Sequence, residues 1–224
     1  MIPGAWPCPT SDGATADEYA LCFDSGRVDR LLIVPALFDE ANRLRRFTVE
    51  VMRRLDAAGI DSILPDLPGC NESPQPLDIQ TPTTWRRAMG AAAEHFRATH
   101  VLGIRGGAML TPASLPGWHY APTKGAAILR QLFRARILAS REIGISESQD
   151  SLLETGLREG LELSGFGLGA QFLEELQRLE AIDGASVIDQ EMIGGGGLWL
   201  RAEPGEDRNQ ADALAAVLAI GIKA

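Results

Sequence analysis

The chain is poor in cysteine and histidine: its 224 residues include only Cys8, Cys22 and Cys70, and His95, His100 and His119. So few cysteines exclude a disulfide scaffold. Their scatter, together with the lack of any His-x-x-x-His spacing, leaves no ligand set for a metal, and no cofactor is expected. Long apolar runs are missing too, since the longest, residues 31–38 and 213–222, fall short of the roughly 18 residues that cross a bilayer. No membrane span is expected. Basic residues are outnumbered, 21 Lys+Arg against 30 Asp+Glu, and the net charge of −9 argues against nucleic acid as a partner. Residues 1–7 lack a basic stretch followed by an apolar one, so no secretory signal is read, and reduced cysteines in the cytoplasm are the expectation.

What the chain does have is a globular composition, 45% hydrophobic and 23% charged, which excludes a disordered chain or a fibrous repeat. One domain over residues 1–224 is expected. Residues 30–38 form an apolar run suited to a strand buried on both faces. Leu44, Phe47, Val51, Met52 and Leu55 then recur at helical intervals over 42–58. Gly59 closes that helix, 60–65 reads as a strand, and the Pro/Asn/Gly/Ser-rich 68–76 reads as a loop. Thr81-Pro82 starts a helix running to about residue 98, 100–104 is a strand, and a helix is expected from Arg105 onward. With one more strand over 117–121, this β-α rhythm predicts an α/β fold: a mostly parallel sheet with helices on both faces.

The second half is less regular. Residues 122–159 carry helical spacing without a strand (Ile128, Leu132, Phe133, Ile137, Leu138, Leu152, Leu153, Leu157) and read as a helical insertion or lid. Short strands are expected over 161–163, 185–188 and 198–200, and helices over 171–179 and 211–220. The glycine run 194–197 suits a flexible turn or close backbone packing.

The segment Val101-Leu-Gly-Ile-Arg-Gly-Gly-Ala108 has the small flanking residues of a nucleophile elbow, with Arg105 at its centre. Upstream, Pro65-Asp66-Leu67-Pro68-Gly69-Cys70-Asn71-Glu72-Ser73 is similar to the Asp-x-x-Gly-x-Gly-x-Ser loop of α/β-hydrolases, with Asn71 at the second glycine. Together with Pro35-Ala-Leu-Phe-Asp-Glu-Ala-Asn-Arg-Leu-Arg-Arg46 and Leu161-Glu-Leu-Ser-Gly-Phe166, these segments occur in the order found in exosortase A-associated hydrolases of type 2. The chain resembles that family over roughly residues 30–180. The resemblance implies an α/β-hydrolase fold, a link to exosortase and exopolysaccharide systems, and an elbow that tends to carry arginine. Residues after 179 are short of that pattern by about one strand and one helix, so a shortened C-terminus is expected.

Serine-hydrolase chemistry needs a nucleophile, an acid and a histidine, in that chain order for this fold. Arg105 is no nucleophile, because a guanidinium stays protonated and offers no lone pair. No histidine follows His119, so the base is missing as well. Asp183 and Asp189 near the acid position read as loop or strand-end carboxylates. The leading expectation is therefore a catalytically degenerate protein that binds a ligand or a partner, a small anionic ligand or a component of an exopolysaccharide or exosortase system. Arg105 and Gly106, with Asp39, Glu40 and Asp66 from neighbouring strand-end loops, are the candidate ligand site. The same carboxylates are the candidates for pairing with Arg105 inside the protein. Two alternatives stand beside it. In one, Cys70 is the nucleophile of an ester or thioester hydrolase, with His119 or His100 as base. In the other, Gly165 to Ala170, matching Gly-x-Gly-x-x-Ala before a helix, cradles a nucleotide. Arg43, Arg45, Arg46, Arg53 and Arg54 read as a solvated helix face, with Arg45 and Arg46 near the helix start as the alternative contacts for an anion.

Overall fold

A computed structural model describes residues 2–10 and 12–224. It begins with a hairpin, β1 (Ile2–Pro9) and β2 (Thr15–Phe23), and then follows β3 (Arg30–Val34), α1 (Asp39–Ala57), β4 (Asp61–Pro65), α2 (Pro82–His95) and β5 (His100–Ile104). Residues 31–34 of β3 and every residue of β4 are buried, as strands covered on both faces must be. β3 pairs in parallel with β4 on one side and β5 on the other. Beyond β5 come β6 (Gly117–Tyr120) and β9 (Ser186–Ile188), both parallel, while β2 pairs antiparallel with β4. Among the described residues the sheet order is thus β1-β2-β4-β3-β5-β6-β9. The chain leaves β3 towards β4 on one side and returns as β5 on the other. That reversal opens a crevice at the carboxyl ends of β3 and β5, where ligands of such sheets lodge.

Helices cover both faces. The apolar stripe of α1 (Leu44, Phe47, Val51, Met52 and Leu55) packs on one face beside α7 (Arg208–Lys223), which buries Leu214 and Leu218. On the other face α2 buries Trp85, Ala88, Met89 and Ala92. Its start is fixed by Thr81, whose side chain accepts from the Thr84 amide while Thr84 reciprocates, and by Pro82 where no amide donor is needed. Between β6 and β9 the chain places α3 (Gly125–Glu142), α4 (Gln149–Glu159), a hairpin of β7 (Leu161–Leu163) and β8 (Phe166–Leu168), and α5 (Ala170–Leu176). Phe172, Leu173 and Leu163 join Trp85 and Phe38 in one core, so this segment is packed onto the sheet face rather than hung beside it.

Three expectations need correction. Strands β1 and β2 are additions, since no element is expected before residue 30 and β1 carries Pro3, Pro7 and Pro9. On an edge strand a missing amide is tolerated, and β1 is the edge. Residues 105–109 form a five-residue 3-10 helix instead of an α-helix, since consecutive glycines favour helix poorly and Gly107 is held against the chain after β3. Residues 198–200 are a 3-10 turn, not a strand, followed only by the short loop into α7. Among the described residues no helix is long and apolar enough to cross a membrane.

Candidate functional site

The turn after β5 is built on two glycines that tolerate no side chain. A Cβ on Gly103 would stand 2.6 Å from the Cα of Ala108, and one on Gly107 would stand 2.4 Å from the carbonyl oxygens of Val34 and Pro35. Between them Arg105 is held at φ 52°, a left-handed conformation that costs a non-glycine residue energy and lifts its side chain above the sheet. Gly107→Ala is expected to destabilise the fold by about 3 kcal/mol, because its obstacles are backbone atoms that cannot rotate away. Urea titration would measure it, and a loss under about 1 kcal/mol would show that the turn relaxes.

The guanidinium of Arg105 is engaged on every side. Nε donates to Glu40 Oε2 at 3.0 Å and Nη2 to Glu40 Oε1 at 3.2 Å, a bidentate fork, while Nη1 donates to the carbonyl of Ala121 at 2.7 Å. Its Cζ lies over the ring of Trp199, 4.1 Å from the ring centre. The pair is withdrawn from water, with side-chain exposures of 15% for Arg105 and 8% for Glu40. Glu40 reaches it from the first turn of α1, entered through Phe38 at φ 56°. Gly106 lies beneath Leu37 and Ile128, whose side-chain carbons would sit 2.8 Å from any Cβ there.

The candidate cluster is therefore brought together in part. Arg105, Gly106 and Glu40 meet. Asp39 lines a cavity of about 110 Å³ with Glu40, Arg43 and Ser164. Asp66 is not with them: it is buried and binds Arg45 at 3.0 Å and the Asn71 side-chain amide at 2.9 Å. Arg45 thus has a partner inside the protein rather than only a solvated face. Asp189, directly after β9, lines a second cavity with Arg105, Ala121 and Gln190. Trp199 and the Ala121 carbonyl were not anticipated as Arg105 partners. The signal for Trp199 was its place: an isolated aromatic after a glycine run, late in the chain, where the last member of a triad belongs.

No family model and no curated protein matches the chain. Solved structures do. An esterase domain of a Rhodothermus marinus protein aligns at 14% identity over 99% of this chain and 98% of its own, with a TM-score of 0.56. The esterase EaEST of Exiguobacterium antarcticum aligns at 13% identity over 99% and 100%, with a TM-score of 0.55. Est1E of Butyrivibrio proteoclasticus, solved with ferulic acid bound, aligns at 13% identity over 96% and 95%, with a TM-score of 0.55. The chain has the α/β-hydrolase fold. Arg105 directly follows β5 at a strand-to-helix turn, the kind of turn on which that fold can carry a nucleophile, and the late segment brings Trp199 onto its guanidinium.

The cysteine alternative meets two obstacles within this α/β-hydrolase fold. Cys70 lines a cavity of about 320 Å³ with Phe38, Leu67, Asn71, Leu77 and Phe166, but burial, reinforced by the charges of Asp66 and Glu18, pushes its thiol up to about 12. At neutral pH this holds Cys70 as the thiol rather than the thiolate that a nucleophile needs. Neither candidate base is bonded to it: His119 Nε2 lies 3.1 Å from Thr111 Oγ1, and His100 Nδ1 lies 2.9 Å from Thr99 Oγ1. Burial lowers both histidines from their ordinary range. The nucleotide alternative is overturned by geometry. Gly165 is at φ 82° in the two-residue β7–β8 turn beside Ser164 at φ 52°, and Gly167 lies within β8. Gly169 packs with its Cβ position 2.6 Å from the Asp78 carbonyl oxygen, so its lack of a side chain serves a close backbone crossing.

Beside Cys70, Glu18 of β2 is fully buried. Its Oε1 accepts from Ser73 Oγ and Gln75 Nε2, both at 2.8 Å, which ties down the loop after β4. Its Oε2 has no partner among the described residues, and burial raises its pKa from the ordinary 4.5. A carboxyl raised on folding binds protons more tightly in the native state, so its contribution to stability grows as pH falls from neutral towards the ordinary glutamate range. Glu18→Gln is expected to remove this part of the pH dependence. Thermal melts of both proteins between neutral and mildly acid pH check it, and parallel curves would refute it.

Proposed function

We propose that this α/β-hydrolase-fold protein acts by binding a ligand or partner rather than by serine hydrolysis, in exosortase- and exopolysaccharide-linked processes of the kind its sequence motifs resemble. The observation that carries the reading is the elbow, where a guanidinium without a lone pair is locked by Glu40, the Ala121 carbonyl and Trp199. An anion at Arg105 would have to displace Glu40 and would face Asp189 and Glu191, which line the adjoining cavity. The ligand is therefore assigned to the cavity at the ends of β3 and β4, under the β7–β8 turn, where Phe38, Leu67, Leu77 and Phe166 together with Asn42 and Asn71 make an uncharged lining of mixed polar and apolar surface.

The test has two arms. Activated short-chain acyl esters and thioesters are expected to show no turnover above the uncatalysed rate. Turnover abolished by Cys70→Ala would replace this reading by the hydrolase one. In a thermal-shift screen, small neutral ligands are expected to raise the melting temperature and Leu67→Trp, which fills the cavity, to cancel the shift. A larger shift from phosphate, sulfate or an acidic sugar, lost in Arg105→Ala, would return the ligand to the elbow.

A further inference from the structure

The chain is acidic, yet residues 130–145 hold four arginines and one glutamate. Arg136 is paired, its Nε donating to Glu147 at 3.0 Å. Arg130, Arg134 and Arg141 are exposed and have no hydrogen-bond or ion-pair partner among the described residues. Positions 130, 134, 138 and 141 follow the i, i+4, i+8, i+11 spacing that keeps side chains on one helix face, so three free arginines and Leu138 form one stripe about 16 Å long. The opposite face is the one that buries Ile128, Leu129, Leu132 and Phe133 against the core. The stripe therefore points away from the body of the protein. At its end Leu138 is 60% exposed, and the turn after α3 presents Ile143 and Ile145, 74% and 49% exposed.

We propose that this face of α3 and its following turn docks on an anionic lipid surface. Charge complementarity selects an anionic partner: although the chain carries a net charge of −9, three cations without partners among the described residues are grouped on this one helix face. Exposed aliphatic side chains select a bilayer over an acidic protein. Leu138, Ile143 and Ile145 stand exposed at the helix end and the turn after it, an apolar tip beside the cations. Arginines beside such a tip reach phosphate headgroups while the aliphatic side chains enter the acyl boundary. This contact lies on the surface of the protein, apart from the cavity proposed for the ligand, and does not depend on it.

Flotation of the full chain with vesicles tests the proposal. Equal mixtures of phosphatidylglycerol and phosphatidylcholine are expected to carry the protein, pure phosphatidylcholine is not, and added salt releases it. Arg130→Glu/Arg134→Glu/Arg141→Glu lowers the partition on the order of a hundredfold. Ile143→Ser/Ile145→Ser lowers it by about tenfold or more. All of these side chains are exposed, so both variants keep the wild-type melting temperature, which confirms that they fold. Absence of binding to the anionic vesicles, or binding that survives the arginine reversal, overturns the proposal. Equal capture by polyglutamate that the isoleucine replacements leave untouched also overturns it, in favour of an acidic protein partner.

Discussion

Arg105→Ala is expected to cost about 3–5 kcal/mol of stability, a loss visible as a fall of roughly 6–20 °C in melting temperature for a chain of this size. The cost arises from what is left behind. Glu40, with 8% side-chain exposure, loses both N–H donors of its fork, and the Ala121 carbonyl loses the 2.7 Å bond from Nη1. A buried carboxylate without its cation is the expensive state, whereas removing both partners is far cheaper. Arg105→Met combined with Glu40→Leu should therefore recover much of the loss and melt closer to wild type than either single variant. Urea titrations of the four proteins would close a double-mutant cycle. Additive losses would show that Arg105 and Glu40 are independent residues, and the account of the elbow as locked by an internal ion pair would fall. The same comparison separates structure from chemistry: Arg105→Ser restores a hydroxyl to the elbow without supplying a histidine, so it should be destabilised yet no more active on esters than wild type.

What the sequence revealed of this arrangement follows from where its information is local. The strands at β3, β4 and β5 were legible because they are short apolar runs covered on both faces. The helices α1, α2 and α7 were legible from their 3.6-residue spacing and, for α2, from the Thr-Pro start. The elbow was legible because Gly103 and Gly107 have to be glycine wherever backbones approach so closely. Long-range pairing was not legible. That Glu40 rather than Asp39 or Asp66 meets Arg105 depends on the angle at which α1 leaves β3 through the left-handed Phe38, and no local pattern encodes that angle. Asp66 is drawn away by Arg45, a residue whose place near the start of α1 suggested solvent or an anion but named no partner. The glycines at 165, 167 and 169 matched a phosphate-binding spacing by coincidence, because a two-residue hairpin turn and a tight crossing over Asp78 happen to need glycine at similar intervals. The late place of Trp199 after the glycine run was the one local signal, and its contact with Arg105 follows from the sheet order, which sets β9 beside β6.

The largest single packing loss is expected at Trp85, in the first turn of α2. Its side chain is fully buried, and its ring lies 4.9 Å from Phe172 of α5 and 6.1 Å from Phe38 in the loop after β3. Phe38 in turn meets Phe166 of the β7–β8 hairpin at 5.0 Å. The indole Nε1 donates to the carbonyl of Pro68 at 2.8 Å, so one residue joins the inserted segment, the loop after β3 and the loop after β4. Those elements are the walls of the cavity assigned to the ligand. Trp85→Ala should cost about 3–5 kcal/mol, through lost transfer energy and a large void, with the orphaned Pro68 carbonyl adding to it. Trp85→Phe keeps most of the aromatic contact and forfeits the hydrogen bond, and it should cost about 1–2 kcal/mol. Hydrogen exchange distinguishes a local from a global effect: in Trp85→Phe, amides of α5 and of the loop at 68–76 should exchange faster while β3 and β5 keep their protection. Uniform acceleration across the sheet would mean that Trp85 serves the core as a whole. Loss of the neutral-ligand thermal shift in Trp85→Phe, with the sheet still protected, would tie the indole to the shape of the cavity: the two loops it holds are the ones a ligand must find already in place.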